Sequence, residues 1–416
     1  MKGLFQLPTV ERTLWKEFVA GLASICVMAL GQGAFLILMV AYLEHRQVPV
    51  AENGLIKAFL SLVEGTACLV AGFLYRGKYT RRIMVAALVL MAAGSFVYAL
   101  QPTLGLVWLG TALNGVGIGV MIVILYVATL ERRPNALHLG LAMGLYTAGI
   151  AAGNAFGETL SGIITDHYGF GASFSFAGTA MLAVVLLVLL MGKEVNYAGS
   201  GHGAESETPV QAGSAAPPHV VENWVWILAI AAGLSMASVN AIFDTLFPIY
   251  GLRAGMTFTL VGSLAGLKMV LAAIIRPFSG AIMARLDAIR LNNWSMVVLA
   301  AATVVTPFVG TGAGLTALVC LMGLSFGTVR VTSATLSLHG QNDPHLTSQR
   351  SSIYNTVMSV GQILGPWASG LVAGTLGLGV ALTALPGLFL VFYLISGVVL
   401  PRSKFKFGMA TQMRQP

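Results

Sequence analysis

Six ionisable side chains lie inside long apolar stretches of this chain, and their chemistry needs an explanation. They are Glu64, Glu158, Asp244, Lys268, Arg276 and Arg330. A charge within hydrocarbon costs on the order of a few kcal/mol, so each one requires a partner, a wet path or a function. Because both signs are present, the set suits an amphoteric or anionic small molecule better than a neutral sugar.

The three buried acids are candidates for carrying protons. Glu64 lies twelve residues before Arg76, which is about 18 Å of helix and places it near the membrane midplane. Asp244 and Glu158 fall in the outer halves of their apolar stretches, and Asp244 follows Asn240 by one helical turn. We predict that these carboxyls couple proton movement to transport. A fixed ion pair between helices is the structural alternative for Glu64.

The three buried bases are candidates for binding or gating. Lys268 could anchor an anionic group, or pair internally with Glu64 or Asp244. Arg330 could bind a carboxylate or phosphate through two hydrogen bonds, form a gate, or extend to the membrane surface. Arg276 precedes Pro277 and is expected to have a gating or structural role.

Uncharged polar side chains within the apolar stretches could line the same path. The predicted substrate-binding set contains Lys268, Arg330, Gln32, Asn240, Asn114, Tyr354 and Asn355, and Tyr146 and Gln362 are further polar liners. For each uncharged residue, a hydrogen bond between helices is at least as consistent with the sequence.

The composition shows what must position these residues. Hydrophobic residues make up 56% of the 416 residues and charged residues only 9%, whereas a soluble domain carries roughly a quarter charged residues. Residues 171–192, 294–312 and 378–400 contain no charge, and about 20 such residues cross a bilayer core as a helix. The 49 glycines suit close helix packing in a membrane.

The pattern predicts an all-α membrane protein with twelve transmembrane helices. They are expected at 18–43, 50–75, 83–101, 103–130, 137–165, 171–192, 223–250, 256–285, 293–311, 313–338, 350–375 and 378–400. Residues 1–192 would form an N-terminal half and 223–416 a C-terminal half with a short tail. Residues 193–222, rich in Gly, Ser and Pro, read as a flexible linker.

The distribution of Lys and Arg predicts the orientation. If both termini are cytoplasmic, seventeen of these residues fall in the inner segments and only Arg46, Lys57 and Arg253 in the outer ones. No cleavable leader is visible, because the first apolar run is long enough to remain as a span.

The two halves also resemble each other. Gly115 and Gly327, Gly149 and Gly361, and Gly153 and Gly365 are each 212 residues apart. Earlier in each half the spacing is 208, as for Gln32 and Asn240. Such a six-plus-six repeat is typical of transporters with a site between the halves.

Other function classes find no support in the sequence. The seven His residues show no metal-ligand spacing, no phosphate-binding Gly-Lys-Ser/Thr loop is present, and no Ser/His/Asp set is apparent. The three cysteines lie inside apolar stretches. We expect no enzyme activity, cofactor or metal, and the net charge of +8 does not indicate nucleic acid because it follows the membrane segments.

Several motifs resemble the major facilitator superfamily over essentially the whole chain. Residues 72–82, ending in Arg81-Arg82, are similar to that family's loop between helices 2 and 3, with Arg76 where the family has Asp. Gly-rich residues 115–119 resemble its fourth helix, with Thr111 at the usual Arg position. The glycines from Gly144 to Gly157 are similar to helix 5 of drug and metabolite exporters.

This resemblance implies two pseudo-symmetric six-helix bundles and alternating access. It implies a gating role for residues at the loop, in helices 5 and 8, and in the counterpart helix 11, which keeps a Pro. The gating set is Arg76, Arg81, Arg82, Arg276, Gly149, Gly153, Gly157, Gly361, Gly365 and Pro366.

The predicted function is secondary transport, preferably proton-coupled export of a drug or an anionic or amphoteric metabolite. Proton-coupled import of an organic anion is the alternative. A receptor that no longer transports is a third hypothesis, kept open by Arg76 and Thr111. We expect a monomer in a bacterial inner membrane, with a small-molecule substrate, protons and the bilayer as its partners.

Overall fold

The chain folds into a bundle of helices. The computed structural model describes residues 9–74, 79–101, 103–131, 139–190, 220–283, 286–338 and 344–399. Within these residues the α-helices are α1 (Thr9–His45), α2 (Val50–Leu74), α3 (Thr80–Ala99), α4 (Leu104–Glu131), α5 (Leu139–Leu190), α6 (Val220–Arg253), α7 (Phe258–Met283), α8 (Ala288–Val305), α9 (Ala313–Ser337), α10 (Pro344–Leu376) and α11 (Leu378–Val399).

Twelve predicted crossings correspond to eleven continuous helices in the described residues, because α5 contains two of them. Gly169 interrupts α5 with φ 80° and ψ 173°, a conformation that only Gly adopts without strain. The apolar part of α5 has 45 residues, or about 68 Å as helix, which is twice a bilayer core. Ten described stretches are long and apolar enough to cross a membrane. The more polar α10 has 33 residues and supplies the remaining crossing.

Glycine contacts hold each half together. In the first half α5 packs on α1, and in the second half α10 packs on α6. A β-carbon added to Gly361 would lie 2.7 Å from the carbonyl oxygen of Leu234, so these backbones are nearly in contact. The predicted resemblance between the halves is therefore built into their packing.

The register of the repeat is 208 residues throughout, which corrects the predicted spacing of 212. Gly153 meets the carbonyl oxygen of Cys26, and Gly361 meets that of Leu234, so both partners shift by 208. The predicted pairing of Gly149 with Gly361 was therefore one helical turn out. Glycines recur every four residues along these helices, so a shift of one turn matches equally well in the sequence.

The α4 and α9 helices obey the same register. Gly119 packs on the backbone of Glu64 in α2, and Gly327 packs on the backbone of Ala272 in α7. Both the glycines and their partners are again 208 residues apart. The predicted equivalence of Gly115 and Gly327 is thus also displaced by one turn.

The two halves meet through α2 against α10 and through α5 against α7. A β-carbon on Gly54 would lie 2.5 Å from the carbonyl oxygen of Pro366. Its equivalent, Gly262, packs on the carbonyl oxygen of Glu158 in the same way. Glu158 therefore occupies the position in the first half that Pro366 occupies in the second.

Polar contacts close one end of the bundle, at which α1 and α6 finish and α2 and α7 begin. Arg253 of α6 binds Glu44 of α1 through two hydrogen bonds of 2.6 and 3.1 Å. The Asp166 carboxylate of α5 accepts hydrogen bonds from the backbone N–H groups of Phe258 (3.1 Å) and Thr259 (2.7 Å). We call this end, defined by Glu44, Arg253 and Asp166, the closed end.

The division between the predicted domains falls on the predicted linker. Most of residues 193–222 lies outside the described residues, so the linker and the two domain boundaries stay predictions.

Candidate site between the two halves

A buried lysine organises the centre of the second half. The Lys268 ammonium donates to Asn240 Oδ1 at 3.0 Å and to Asp244 Oδ1. Asn240 Nδ2 in turn donates to Asp244 Oδ2 at 2.7 Å, so the three side chains form a closed set. The Lys268 side chain is only 1% exposed, whereas that of Asp244 is 32% exposed. Asp244 therefore presents the open side of this charged set.

Local structure explains this arrangement. Asn240 and Asp244 are one turn apart on α6, so their side chains lie on one face. The ammonium of Lys268 also lies 4.9 Å from the centroid of the Phe243 ring, which adds a cation–π contact. Of the two readings predicted for Lys268, the internal pair with Asp244 is the one present in this conformation.

Glu158 contributes a carboxyl from the first half. Its side chain is buried at the α5–α7 contact, and its Oε2 has no hydrogen-bond partner among the described residues. The charges that act on it are those of Lys268, Asp244 and Lys57. An ionised carboxylate with an unsatisfied buried oxygen is costly, so this group is sensitive to a proton or a cation that approaches it.

Lys57 and Glu64 extend the charged set along α2. Lys57 is 8% exposed and has no ion pair within the described residues, and it lies within the field of Asp244, Glu64, Glu158 and Lys268. Glu64 is partly exposed and two turns further along the same face. The sequence had placed Lys57 outside the site, although its spacing of seven residues from Glu64 was the available signal.

These five residues form the central site. It contains three acids and two bases, supplied by α2 and α5 of one half and by α6 and α7 of the other: Lys57, Glu64, Glu158, Asp244 and Lys268. Only one ion pair, between Asp244 and Lys268, is closed within it. The site therefore keeps two carboxyls and one ammonium that can exchange partners.

Two arginines lie further along α7 and α9. Arg276 Nη1 donates to the backbone oxygen of Thr147 on α5 at 2.8 Å, so it joins the two halves. The Arg330 guanidinium lies 5.9 Å from the centroid of the Tyr354 ring and contacts the sulfur of Met358. The location of Arg276 agrees with its predicted gating role, which stays a prediction.

The uncharged polar residues divide into two groups. Asn114 is fully buried and donates to Met91 O and Ser95 Oγ of α3, both at 3.1 Å, so it lies in the α3–α4 packing and not among the charges. The Tyr354 hydroxyl is bonded to Ser333 Oγ at 2.7 Å. For these two, hydrogen bonds between helices replace the predicted lining role in this conformation.

The other predicted liners have different surroundings. Tyr146 donates to the backbone oxygen of Ile122 at 3.2 Å. Gln32 is buried on α1, at the position equivalent to Asn240. Asn355 and Gln362 are exposed on α10. Their roles in substrate binding stay predictions.

The predicted gating residues have mainly packing contacts. Arg81 donates to the backbone oxygen of Leu189 at 2.5 Å, and Arg82 lies over the Tyr79 ring. Arg76 lies outside the described residues. The glycines and proline of the gating set line the α1–α5, α6–α10 and α2–α10 contacts: Gly149, Gly153, Gly157, Gly361, Gly365 and Pro366. Close packing is what their small size permits here, and gating by them stays a prediction.

The described part of the chain contains no group of three or more His, Cys, Asp or Glu side chains that could hold a metal ion. The central site is instead a mixed set of carboxyls and ammonium groups between two bundles.

Comparison with known proteins identifies the family. A model described as Major Facilitator Superfamily matches residues 21–366. The chain belongs to the major facilitator superfamily. The predicted family and its fold of two six-helix bundles are confirmed, and the chain is a multi-pass membrane transporter.

Two curated relatives are more distant. The chain is 20% identical over 260 residues to an uncharacterized MFS-type transporter of Methanocaldococcus jannaschii, a match that covers 61% of this chain and 64% of that protein. A segment of 87 residues is 30% identical to the Staphylopine export protein of Staphylococcus aureus and covers 21% of this chain and 22% of that one. In both matches the chain spans less than two thirds of the relative.

Solved structures share the fold at low identity. The nucleoside transporter NupG superposes with a TM-score of 0.72 at 11% identity, and covers 94% of this chain and 100% of its own. A bacterial homologue of the human lysosomal transporter Spinster gives 0.69 at 14% identity, with 94% and 99% covered. The human organic anion transporter TETRAN gives 0.63 at 16%, with 94% and 100% covered.

Proposed function

We propose that this superfamily member is a proton-coupled exporter of an anionic or amphoteric small molecule. It works by alternating access, with the two halves rocking about the central site. Glu158, with Glu64 as a second carboxyl, carries the proton, and the Asp244–Lys268 pair receives the charged groups of the substrate.

The observation that carries this proposal is the unpartnered Oε2 of Glu158, buried at the α5–α7 contact between the halves. A carboxyl in this position changes its surroundings whenever α5 moves relative to α7. It therefore links a change of charge to a change of conformation, which proton coupling requires. Lys57 and Lys268, whose charges act on Glu158, provide the alternative partners.

The mixed charge of the central site supports the substrate class. Asp244 is accessible while Lys268 is covered, so a substrate ammonium would meet the carboxylate first. A substrate carboxylate could then compete with Asp244 for the Lys268 ammonium. An amphoteric compound can satisfy both groups, whereas a neutral compound leaves a buried pair to be separated without compensation.

Direction and location complete the proposal. The bias of Lys and Arg places the closed end outside and both termini in the cytoplasm of a bacterial inner membrane. The glycine-rich α5 and the matched segment of the Staphylopine export protein favour export. The functional unit would be a monomer, since one chain contains both halves of the site.

Inverted membrane vesicles with an acid interior provide the test. Acridine orange reports the pH gradient, and staphylopine followed by a panel of amphoteric carboxylates provides the candidate substrates. Antiport predicts that a substrate dissipates the gradient and accumulates in the vesicle lumen. Control vesicles carry the same protein with Glu158→Gln.

The competing functions give other results. An importer would release substrate from preloaded inverted vesicles and would not accumulate it against the gradient. A receptor that no longer transports would bind a compound with no change in acridine orange fluorescence. Either result would contradict the export proposal.

A further inference from the structure

Two arginines, Arg276 and Arg330, lie inside the bundle with no acid to neutralise them. Neither guanidinium has a carboxylate within ion-pair distance among the described residues. Arg276 Nε is buried with no acceptor, and the charge acting on Arg276 is that of Arg330. Two neighbouring cations without an anion are costly at membrane depth.

Helix packing explains why the two residues are neighbours. Gly323 of α9 packs on the backbone of Lys268, and Gly327 packs on that of Ala272 and the side chain of Ile275. One more turn along both helices brings Arg330 beside Arg276. The pair is therefore fixed by the same close α7–α9 contact that positions Lys268.

Neither arginine reaches the membrane surface. Arg276 binds Thr147, which lies eight residues or about 12 Å inside the start of α5. Arg330 lies against Tyr354, ten residues or about 15 Å inside the start of α10. Snorkelling, which was one reading of Arg330 from the sequence, does not describe these side chains.

We propose that Arg276 and Arg330 form a binding site for an oxyanion, a carboxylate or phosphate group. Guanidinium groups favour these ligands because their N–H donors match the spacing of two oxygens. The site lies about two helical turns from Lys268 along α7, toward the end opposite the closed end. An anionic group of the transported compound would bind here, and in that respect the inference rests on the proposed function.

The site also connects its occupant to the contact between the halves. One arm of Arg276 is already bonded to Thr147 of α5. An anion that binds the remaining donors of Arg276 holds the guanidinium in place and strengthens the α5–α7 contact. Occupancy therefore stabilises the conformation described here.

Binding of potassium citrate and inorganic phosphate tests the site directly. The full chain is placed in nanodiscs of zwitterionic lipid at equal pH throughout, and potassium chloride at matched ionic strength is the reference. Calorimetry and thermal unfolding report binding. Arg276→Gln and Arg330→Gln should each weaken the dissociation constant by about tenfold or more. Arg290→Gln, at an arginine that is 84% exposed on α8, should leave it unchanged.

Conservative variants guard against misfolding. Arg276→Lys and Arg330→Lys keep the charge, and should bind more weakly than the parent but more tightly than the Gln variants. Equal binding by the parent and all Gln variants, or no citrate- or phosphate-dependent effect in the parent, would overturn the site. Because no gradient is applied, loss of proton coupling leaves this readout unaffected.

A second arm identifies the source of the anion. Nanodiscs that contain phosphatidylglycerol present the same chemistry as a lipid headgroup. Stabilisation that requires phosphatidylglycerol, is absent with citrate and phosphate, and is lost in Arg276→Gln supports the oxyanion site with lipid as its occupant. Citrate or phosphate binding in zwitterionic nanodiscs assigns it to a soluble anion.

Discussion

The closed end contains one contact that exists only while the halves are together there. Asp166 of α5 caps the first turn of α7 in the other half, with hydrogen bonds to Phe258 N and Thr259 N. Opening this end must break both bonds. Asp166→Ala removes the contact and is therefore expected to favour opening.

The size of the effect follows from the exposure of the contact. Loss of a helix N-cap costs about 1 kcal/mol. Water can replace the carboxylate because Asp166 and both N–H groups are exposed, so a much larger value is not expected. The ratio of open to closed forms should rise about fivefold, which corresponds to that energy.

Electron–electron distances between spin labels measure the ratio. The labels are attached at Arg46→Cys on the first half and Ala254→Cys on the second, after the three native cysteines are replaced by Ala. Asp287→Ala is the matched control, because Asp287 caps α8 of its own half through Ile289 N and Arg290 N.

Asp287→Ala should lower thermal stability by a comparable amount without lengthening the distance between labels. The reasoning fails if Asp166→Ala leaves the distance distribution unchanged, or if Asp287→Ala shifts it equally.

Two further substitutions test the packing and the central pair. Gly33→Ala should destabilise the fold by about 1–3 kcal/mol, because its β-carbon would lie 2.5 Å from the Asn154 backbone oxygen, whereas Gly105→Ala meets nothing within 4 Å; equal thermal unfolding of the two would contradict the packing. Lys268→Met alone should destabilise by about 3–5 kcal/mol, since it leaves Asp244 without its cation. Adding Asp244→Asn should recover much of that loss, and an additive double-mutant cycle would refute the pairing.

Much of the fold could be predicted from apolar length and charge. The twelve crossings were visible because each bilayer passage needs about 20 apolar residues. The continuity of α5 was not predictable, since Gly169 breaks the helical geometry without a loop. The register of the repeat was misjudged by one turn, because glycines four residues apart look alike in the sequence but only one meets its partner backbone.

The central site was predictable only in its membership. An ionisable residue in an apolar stretch is conspicuous, so Glu64, Glu158, Asp244 and Lys268 were found. Lys57 was assigned to an outer segment because it lies near the beginning of α2. Pairing was beyond the sequence, since Asp244 and Lys268 are on different helices whose relative rotation depends on packing.

The closed end shows the same limit. Glu44 and Arg253 are separated by 209 residues, and each one looks like an ordinary charge at a helix end. Asp166 resembled a family feature of the helix 5 exit, yet its partners are backbone groups of α7, which no side-chain pattern reveals.

The most direct test of the account is proton-driven accumulation by Glu158→Gln in proteoliposomes, with the compound identified in the vesicle screen. The variant should lose accumulation against a gradient, because Gln cannot exchange a proton. It should keep counterflow exchange of that compound, because the Asp244–Lys268 pair is intact. Accumulation at the parental rate in the variant would contradict the claim that Glu158 couples proton movement to transport.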